Sequence, residues 1–157
     1  MIRKLTTLAA FAAAAVTLAA VAAAGPVAAK QRVAIQVKGA NDRDSFVLTP
    51  LTPGAIKSDT GVATFCCWTN RHTMRDGQAI DIGDPQMTLI GKRGTLVTRN
   101  RIEFVDIPDG WAVVTGTWKV VRATGDYAGL SGGGRQAGIH LASGTMKVQF
   151  EGFLRSN

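Results

Sequence analysis

Residues 116–134 read GTWKVVRATGDYAGLSGGG, and the fold is decided there. A β-branched, aromatic-bearing segment leads in, a turn lies inside, and three consecutive glycines follow. Glycine tolerates positive φ and close backbone approach. Gly125, Tyr127, Gly129, Gly132, Gly133 and Gly134 therefore read as a structural turn, a sharply bent and tightly packed corner between strands. The stretch speaks to architecture and carries no chemistry of its own.

Outward from this corner, the chain alternates with period two. In 111–122, Ala112, Val114, Gly116, Trp118 and Val120 share one face. In 95–106, Leu96, Thr98, Asn100, Ile102 and Phe104 face opposite Arg99, Arg101 and Glu103, so Thr98 and Asn100 sit among inward apolar residues. Val33, Ile35 and Val37 mark another strand, 45–51 a second and 62–69 a third, with Val62, Thr64, Cys66 and Trp68 on one face and Ala63, Phe65 and Cys67 on the other. Short strands are expected at 78–82 and 87–90, split by Gly83-Asp84-Pro85, and Met146, Val148 and Phe150 define a last one. Residues 70–77 are charged and read as irregular, and 138–143 reads as a short strand. About eight short strands at regular turn spacing, with no sustained helical period, predict an all-β barrel or sandwich. Closure is favoured because it hides edges, and glycine kinks help strands bend around a circumference.

The N-terminus is of a different kind. Met1-Ile2-Arg3-Lys4 precedes an alanine-rich apolar run that breaks at Gly25-Pro26. A basic start, an apolar middle and small residues at the end make a secretory signal peptide, a helix that is removed on export. Both Ala22-Ala23-Ala24 and Val27-Ala28-Ala29 fit the small-x-small rule, and the second is preferred because the Gly-Pro break precedes it. This divides the chain into a signal peptide at 1–29 and a single β-barrel domain at 30–157. The product is expected to be secreted, extracellular or held in the cell envelope, with no stable membrane insertion after cleavage. Of the formal charge of +7, the leader carries Arg3 and Lys4. The remaining cations are dispersed, with Lys92-Arg93 and Arg99/Arg101 as close neighbours, which argues for a solvated surface and against nucleic acid.

The segment from Trp118 to Leu130 resembles the W-x-V-x-x-x-T-G-x-Y-x-G-L signature of the allene oxide cyclase barrel-like superfamily, in particular its small secreted bacterial members of unassigned function. The likeness extends over about residues 45–154 and includes Ser58-Asp59-Thr60-Gly61 and Gly91-Lys92-Arg93-Gly94-Thr95. It implies an antiparallel eight-stranded β-barrel with a central cavity. Relatives include plant oxylipin cyclases and bacterial cyclases that fold polyketides into rings. Their catalytic positions have no residue-by-residue match here, so the catalytic residues are unknown, and export departs from the intracellular setting of those enzymes.

Residue chemistry narrows the function classes further. Cys66 and Cys67 are the two cysteines. Within a strand, adjacent side chains point to opposite faces and cannot join without backbone distortion. They are candidates for free thiols, for an intermolecular disulfide, or for a vicinal disulfide if a local turn intervenes. No metal site is expected, since His72 and His140 lie far apart in the sequence and structural zinc wants four ligands. No cofactor is expected either: Ser131 lies in no nucleophile elbow, and Leu130 to Gly134 lacks the Lys-Ser/Thr of a phosphate loop. The carboxylates Asp59, Asp81, Asp84, Glu103, Asp106, Asp126 and Glu151 read as solvated. Trp68, Trp111, Trp118 and Tyr127 read as core or barrel plugs before ligand contacts. An inward Asn100 needs hydrogen-bond partners. With Thr98, Trp118 and Phe150 it forms the candidate lining of a lumen.

These features point to a non-catalytic barrel binding a small apolar or amphipathic ligand. The alternatives are a cofactor-free cyclase or isomerase and a protein-interaction module, and homo-oligomerisation is left open. Lumen volume separates the ligand readings from the interaction reading. The leader makes its own prediction: intact mass of the exported protein should place its first residue at Lys30, and a start at Gly25 would select the earlier site.

Overall fold

The computed structural model describes residues 30–40, 43–108 and 111–156; the leader expected at 1–29 lies outside them. Ten strands occur in order: β1 Gln31–Ala40, β2 Arg43–Pro50, β3 Asp59–Cys66, β4 Asn70–Arg75, β5 Gln78–Gly83, β6 Gln86–Gly91, β7 Thr95–Ile107, β8 Trp111–Ala123, β9 Leu130–His140 and β10 Met146–Ser156. The described residues contain no α-helix; a 3-10 turn, Gly125–Tyr127, lies between β8 and β9. All strand pairs are antiparallel. Eight strands close a ring in the order β7-β6-β3-β2-β1-β10-β9-β8, with β8 returning to β7. Of the two architectures open to the sequence, the chain adopts the closed barrel.

Alternation explains why these segments build the wall. On β1, Val33, Ile35 and Val37 are fully buried while Gln36 and Lys38 face water. Phe46, Leu48, Met87, Leu89, Leu96, Phe150 and Leu154 fill the interior from the other strands. Eight strands leave an interior that side chains can fill. The long strand β7 carries a register shift between Val97 and Thr98, so Val97 is buried as well as its neighbours Leu96 and Thr98. An irregularity of this kind bends and twists a barrel wall.

Expectations for two segments change first. Gly132, Gly133 and Gly134 are not part of a turn. They lie in β9, in register with Leu154, Phe153 and Gly152 of β10, and Gly133 and Gly134 also pair with Lys119 and Trp118 of β8. A Cβ on Gly134 would sit 1.9 Å from the Glu151 carbonyl oxygen. The bare strand lets the Trp118 indole reach past β9, where its Nε1 donates to that same carbonyl at 3.4 Å. The turn proper is confined to residues 124–129, where Gly125 (φ 63°) and Gly129 (φ 76°) take left-handed conformations. Residues 70–75, expected to be irregular, form β4. All six are exposed, so the strand has no apolar alternation to read. Its hairpin to β5 turns at Asp76 and Gly77, both at positive φ, as a two-residue Asp-Gly turn requires. Arg75 reaches across β5 to hold Glu103 of β7 with two hydrogen bonds of 3.0 and 3.1 Å.

One end of the barrel is closed by polar ties. Gln31, buried, accepts from the Ile56 amide at 2.8 Å and donates to the carbonyls of Thr52 and Ile56 at 2.9 and 3.0 Å, which folds the segment after β2 back under the core. Asp59 does more. Expected to be solvated, it is 5% exposed and accepts from the Tyr127 hydroxyl at 2.7 Å and from the amides of Thr60, Lys92 and Arg93 at 2.8, 3.1 and 3.1 Å. The corner docks against the β6–β7 turn: the Asp126 amide donates to Arg93 at 2.8 Å, and a Cβ on Gly125 would stand 2.5 Å from the Arg93 oxygen. Burial pushes the Asp59 carboxyl up, but the Tyr127 hydroxyl and the three amides outweigh it and hold the group below its usual value of 3.8. Burial, with the carboxylate beside it, pushes the Tyr127 phenol well above its ordinary range.

Removing the hydroxyl with Tyr127→Phe should cost about 2 kcal/mol, the scale of a hydrogen bond to a charged group. Because the folded-state pKa of Asp59 is depressed, its contribution is present above 3.8 and is lost as pH falls through the lower folded value. Urea titrations of wild type and variant should therefore differ most near neutrality and converge in acid; a constant gap across pH would refute the assignment.

Candidate functional site

The opposite end of the barrel is built differently. Along β3, Ala63 is buried and Phe65 points into the lumen, while Val62 and Thr64 face out. An uninterrupted strand would carry Trp68 outward with Val62. It does not, because Cys66 and Cys67 are joined by a disulfide and Cys67 takes φ 62°. The local turn that a vicinal bridge requires is thus present. Between the pairs Cys66/Gln86 and Asn70/Gly83, residues 67–69 stand opposite residues 84–85, a bulge of one extra residue that reverses the facing of the chain. Trp68 turns in, 5.8 Å from Phe104 and 6.4 Å from Phe65 between ring centroids. Its indole edge lies 3.2 Å from where a Gly83 Cβ would be.

Beneath these rings is a cavity of about 20 Å³ lined by Phe65, Trp68, Asn100, Gln136, Met146 and Phe150 among others. No charged residue lines it. Outside lies a depression of about 500 Å³ bordered by Asp44, Thr64 and His140. Phe65, Trp68 and Met146 line both spaces and so form the partition between them. Trp68 itself is 45% exposed.

All four residues expected at the lumen, Thr98, Asn100, Trp118 and Phe150, are buried. Asn100 and Phe150 line the cavity. Thr98 stands behind Asn100, accepting its Nδ2 at 3.3 Å, and Trp118 packs edge-on against Phe150 at 6.4 Å. Asn100 also sends its backbone amide and Nδ2 to the Pro85 carbonyl, at 2.9 and 3.4 Å. A carbonyl only accepts, so the side-chain nitrogen is fixed on that side and Oδ1 points away, without a partner. Gln136 Nε2 is likewise buried and unpartnered. Each such atom costs about 1–3 kcal/mol. Among the described residues, both of the unpartnered buried side-chain polar atoms found thus belong to residues lining this one cavity.

Sequence reasoning missed Gln136, because the strand was begun at 138 whereas β9 starts at Leu130; alternation back from Gly138 would have placed 136 inward. It also put Trp68 on the face of Val62 and Thr64, whereas the bulge at Cys66 and Cys67 resets the phase and turns the ring to the side of Phe65. Of the other aromatics, Tyr127 and Trp118 are structural, and Trp111 is 41% exposed, one position out of phase with inward Ala112. His72 contacts Asp81 across the exposed β4–β5 hairpin. Among the described residues, no group of three or more His, Cys, Asp or Glu is placed to hold a metal.

Comparison of the chain with protein-family models, with curated proteins and with solved structures finds no match. The site is therefore characterised by its own geometry.

A cross-link between neighbours closes almost no loop and constrains the unfolded chain little. Replacing both Cys66 and Cys67 by Ser should thus shift Tm by less than about 3 °C, yet release Trp68 and red-shift its emission, as read against a Trp68→Phe control. A large loss of stability with unchanged emission would contradict the role of the bulge.

Proposed function

We propose that this is a secreted, non-catalytic β-barrel that binds a small apolar or amphipathic molecule at its mouth. The observation that carries this reading is the partition of Phe65, Trp68 and Met146 between an open depression and a buried apolar cavity. Ligand sites are concave and mostly apolar, with a few polar groups to fix orientation, and the mouths of barrels are common places for them. The small lumen volume favours capture at the mouth over confinement of a whole substrate inside, so the cyclase or isomerase reading ranks second. Membership of the allene oxide cyclase barrel-like superfamily is part of the proposal, supported by the motif from Trp118 to Leu130 and by the count of strands in the ring. An interaction module has one specific support: Ile107, Trp111 and Val113 form an exposed apolar cluster on the distal ends of β7 and β8.

The neutral fluorophore N-phenyl-1-naphthylamine should bind saturably at one site. Trp68→Ala should weaken it by roughly tenfold, the worth of a buried aromatic contact, while Trp111→Ala should not. Binding that is absent, or indifferent to Trp68, would remove the proposal, and self-association lost in Trp111→Ala would favour the interaction reading instead.

A further inference from the structure

We propose that the mouth selects ligands bearing a neutral hydroxyl group, an alcohol or phenol on an apolar body, and that Asn100 and Gln136 read that group; this rests on the mouth-binding function proposed above. The two unpartnered atoms are one acceptor, Asn100 Oδ1, and one donor, Gln136 Nε2. Both residues are more than nine-tenths buried, at 1% and 6% exposure, and both line the same cavity. The complement of an acceptor and a donor offered by residues lining one cavity is a group carrying one hydrogen to give and one lone pair to receive. A hydroxyl does both with a single heavy atom.

Size and charge narrow the choice. A space of about 20 Å³ is little more than one water-sized probe, for which about 10–15 Å³ suffices. A single oxygen fits, whereas a carboxyl or carboxamide group brings three heavy atoms. A carboxylate would also set an anionic oxygen against Asn100 Oδ1, an acceptor against an acceptor. No cation lines the cavity to offset it, and an ion moved into such surroundings without a partner is strongly disfavoured. An ammonium faces the same lack of a counter-charge. The apolar body of the ligand then lies in the partition, against Phe65, Trp68 and Met146, with its hydroxyl pointing down between them. An apolar analogue lacking the hydroxyl leaves both protein atoms unsatisfied, which is the usual basis for discrimination by a buried polar pair.

The test is a matched series, 4-butylphenol, butylbenzene and 4-butylbenzoate, titrated against the full exported protein by isothermal calorimetry and by NMR shifts of the Trp68 indole. The phenol should bind about tenfold or more tightly than butylbenzene, and the benzoate most weakly at neutral pH. In Gln136→Met, which substitutes an apolar chain of similar length, the preference for phenol over butylbenzene should fall to near unity. Gln136→Leu serves as a second variant if Met disturbs folding. Equal binding of phenol and butylbenzene by wild type, or a preference for the benzoate, would overturn the inference and leave mouth binding standing. Absence of binding by all three compounds, with the Trp68 resonance unmoved, would overturn both. Preference retained in a folded Gln136 variant would overturn the role given to that residue.

Discussion

The carboxylate of Asp59 is the point on which the barrel closes. It receives hydrogen bonds from the chain just after it, from the turn joining β6 to β7, and from the phenol beyond β8. The last seam of the ring is the pairing of β7 with β8, and this group, with the backbone bond from Asp126 to Arg93, anchors the corner after β8 to the turn before β7. A buried charge is tolerable only when its lone pairs are occupied, and here four donors occupy them. Three stretches that appear separate along the chain, Ser58 to Gly61, Gly91 to Thr95, and the corner around Tyr127, meet at the same side chain. Their joint presence in the sequence has a common physical cause.

The two ends of the barrel follow opposite rules. At the closed end, Gln31 and Asp59 have donors and acceptors matched to them, and the apolar interior packs directly above. At the mouth, the carboxamides of Asn100 and Gln136 are equally withdrawn from water but each keeps an atom without a partner. Aromatic rings stand over them, one set at its angle by a bulge and a disulfide. Packing and polar satisfaction maximise stability at the first end. The second holds back some of that stability, and such local inconsistency is where function is expected to lie.

Much of the wall was legible in the sequence because burial on one face imposes a period of two. Val33, Ile35 and Val37, or Met146, Val148 and Phe150, announce both their strand and their facing. Asn100 could be placed inward for the same reason, from its position among Leu96, Ile102 and Phe104. The signal fails where that pressure is absent: β4 is exposed along its whole length and carries no pattern. It fails also where phase is reset. The facing of Trp68 depends on whether residues 66 and 67 bend, and nothing in their side chains alone decides between a straight strand and a bridged turn. The three glycines of β9 misled in a different way. Lack of a side chain permits a turn, but it equally permits a close strand over which a neighbour's indole can lie. Asp59 was hidden because its donors are mostly backbone amides, brought together only by the fold.

The ring of eight strands closes without β4 and β5, which flank the far half of β7 like an awning over the doorway. Its root holds Trp68 and Gly83, while its span makes no contribution to the seam. Such an appendage can be lengthened, shortened or exchanged between chains while the cylinder beneath keeps its shape. The architecture thereby separates the cylinder, whose shape its seam fixes, from a hairpin that can vary without disturbing it.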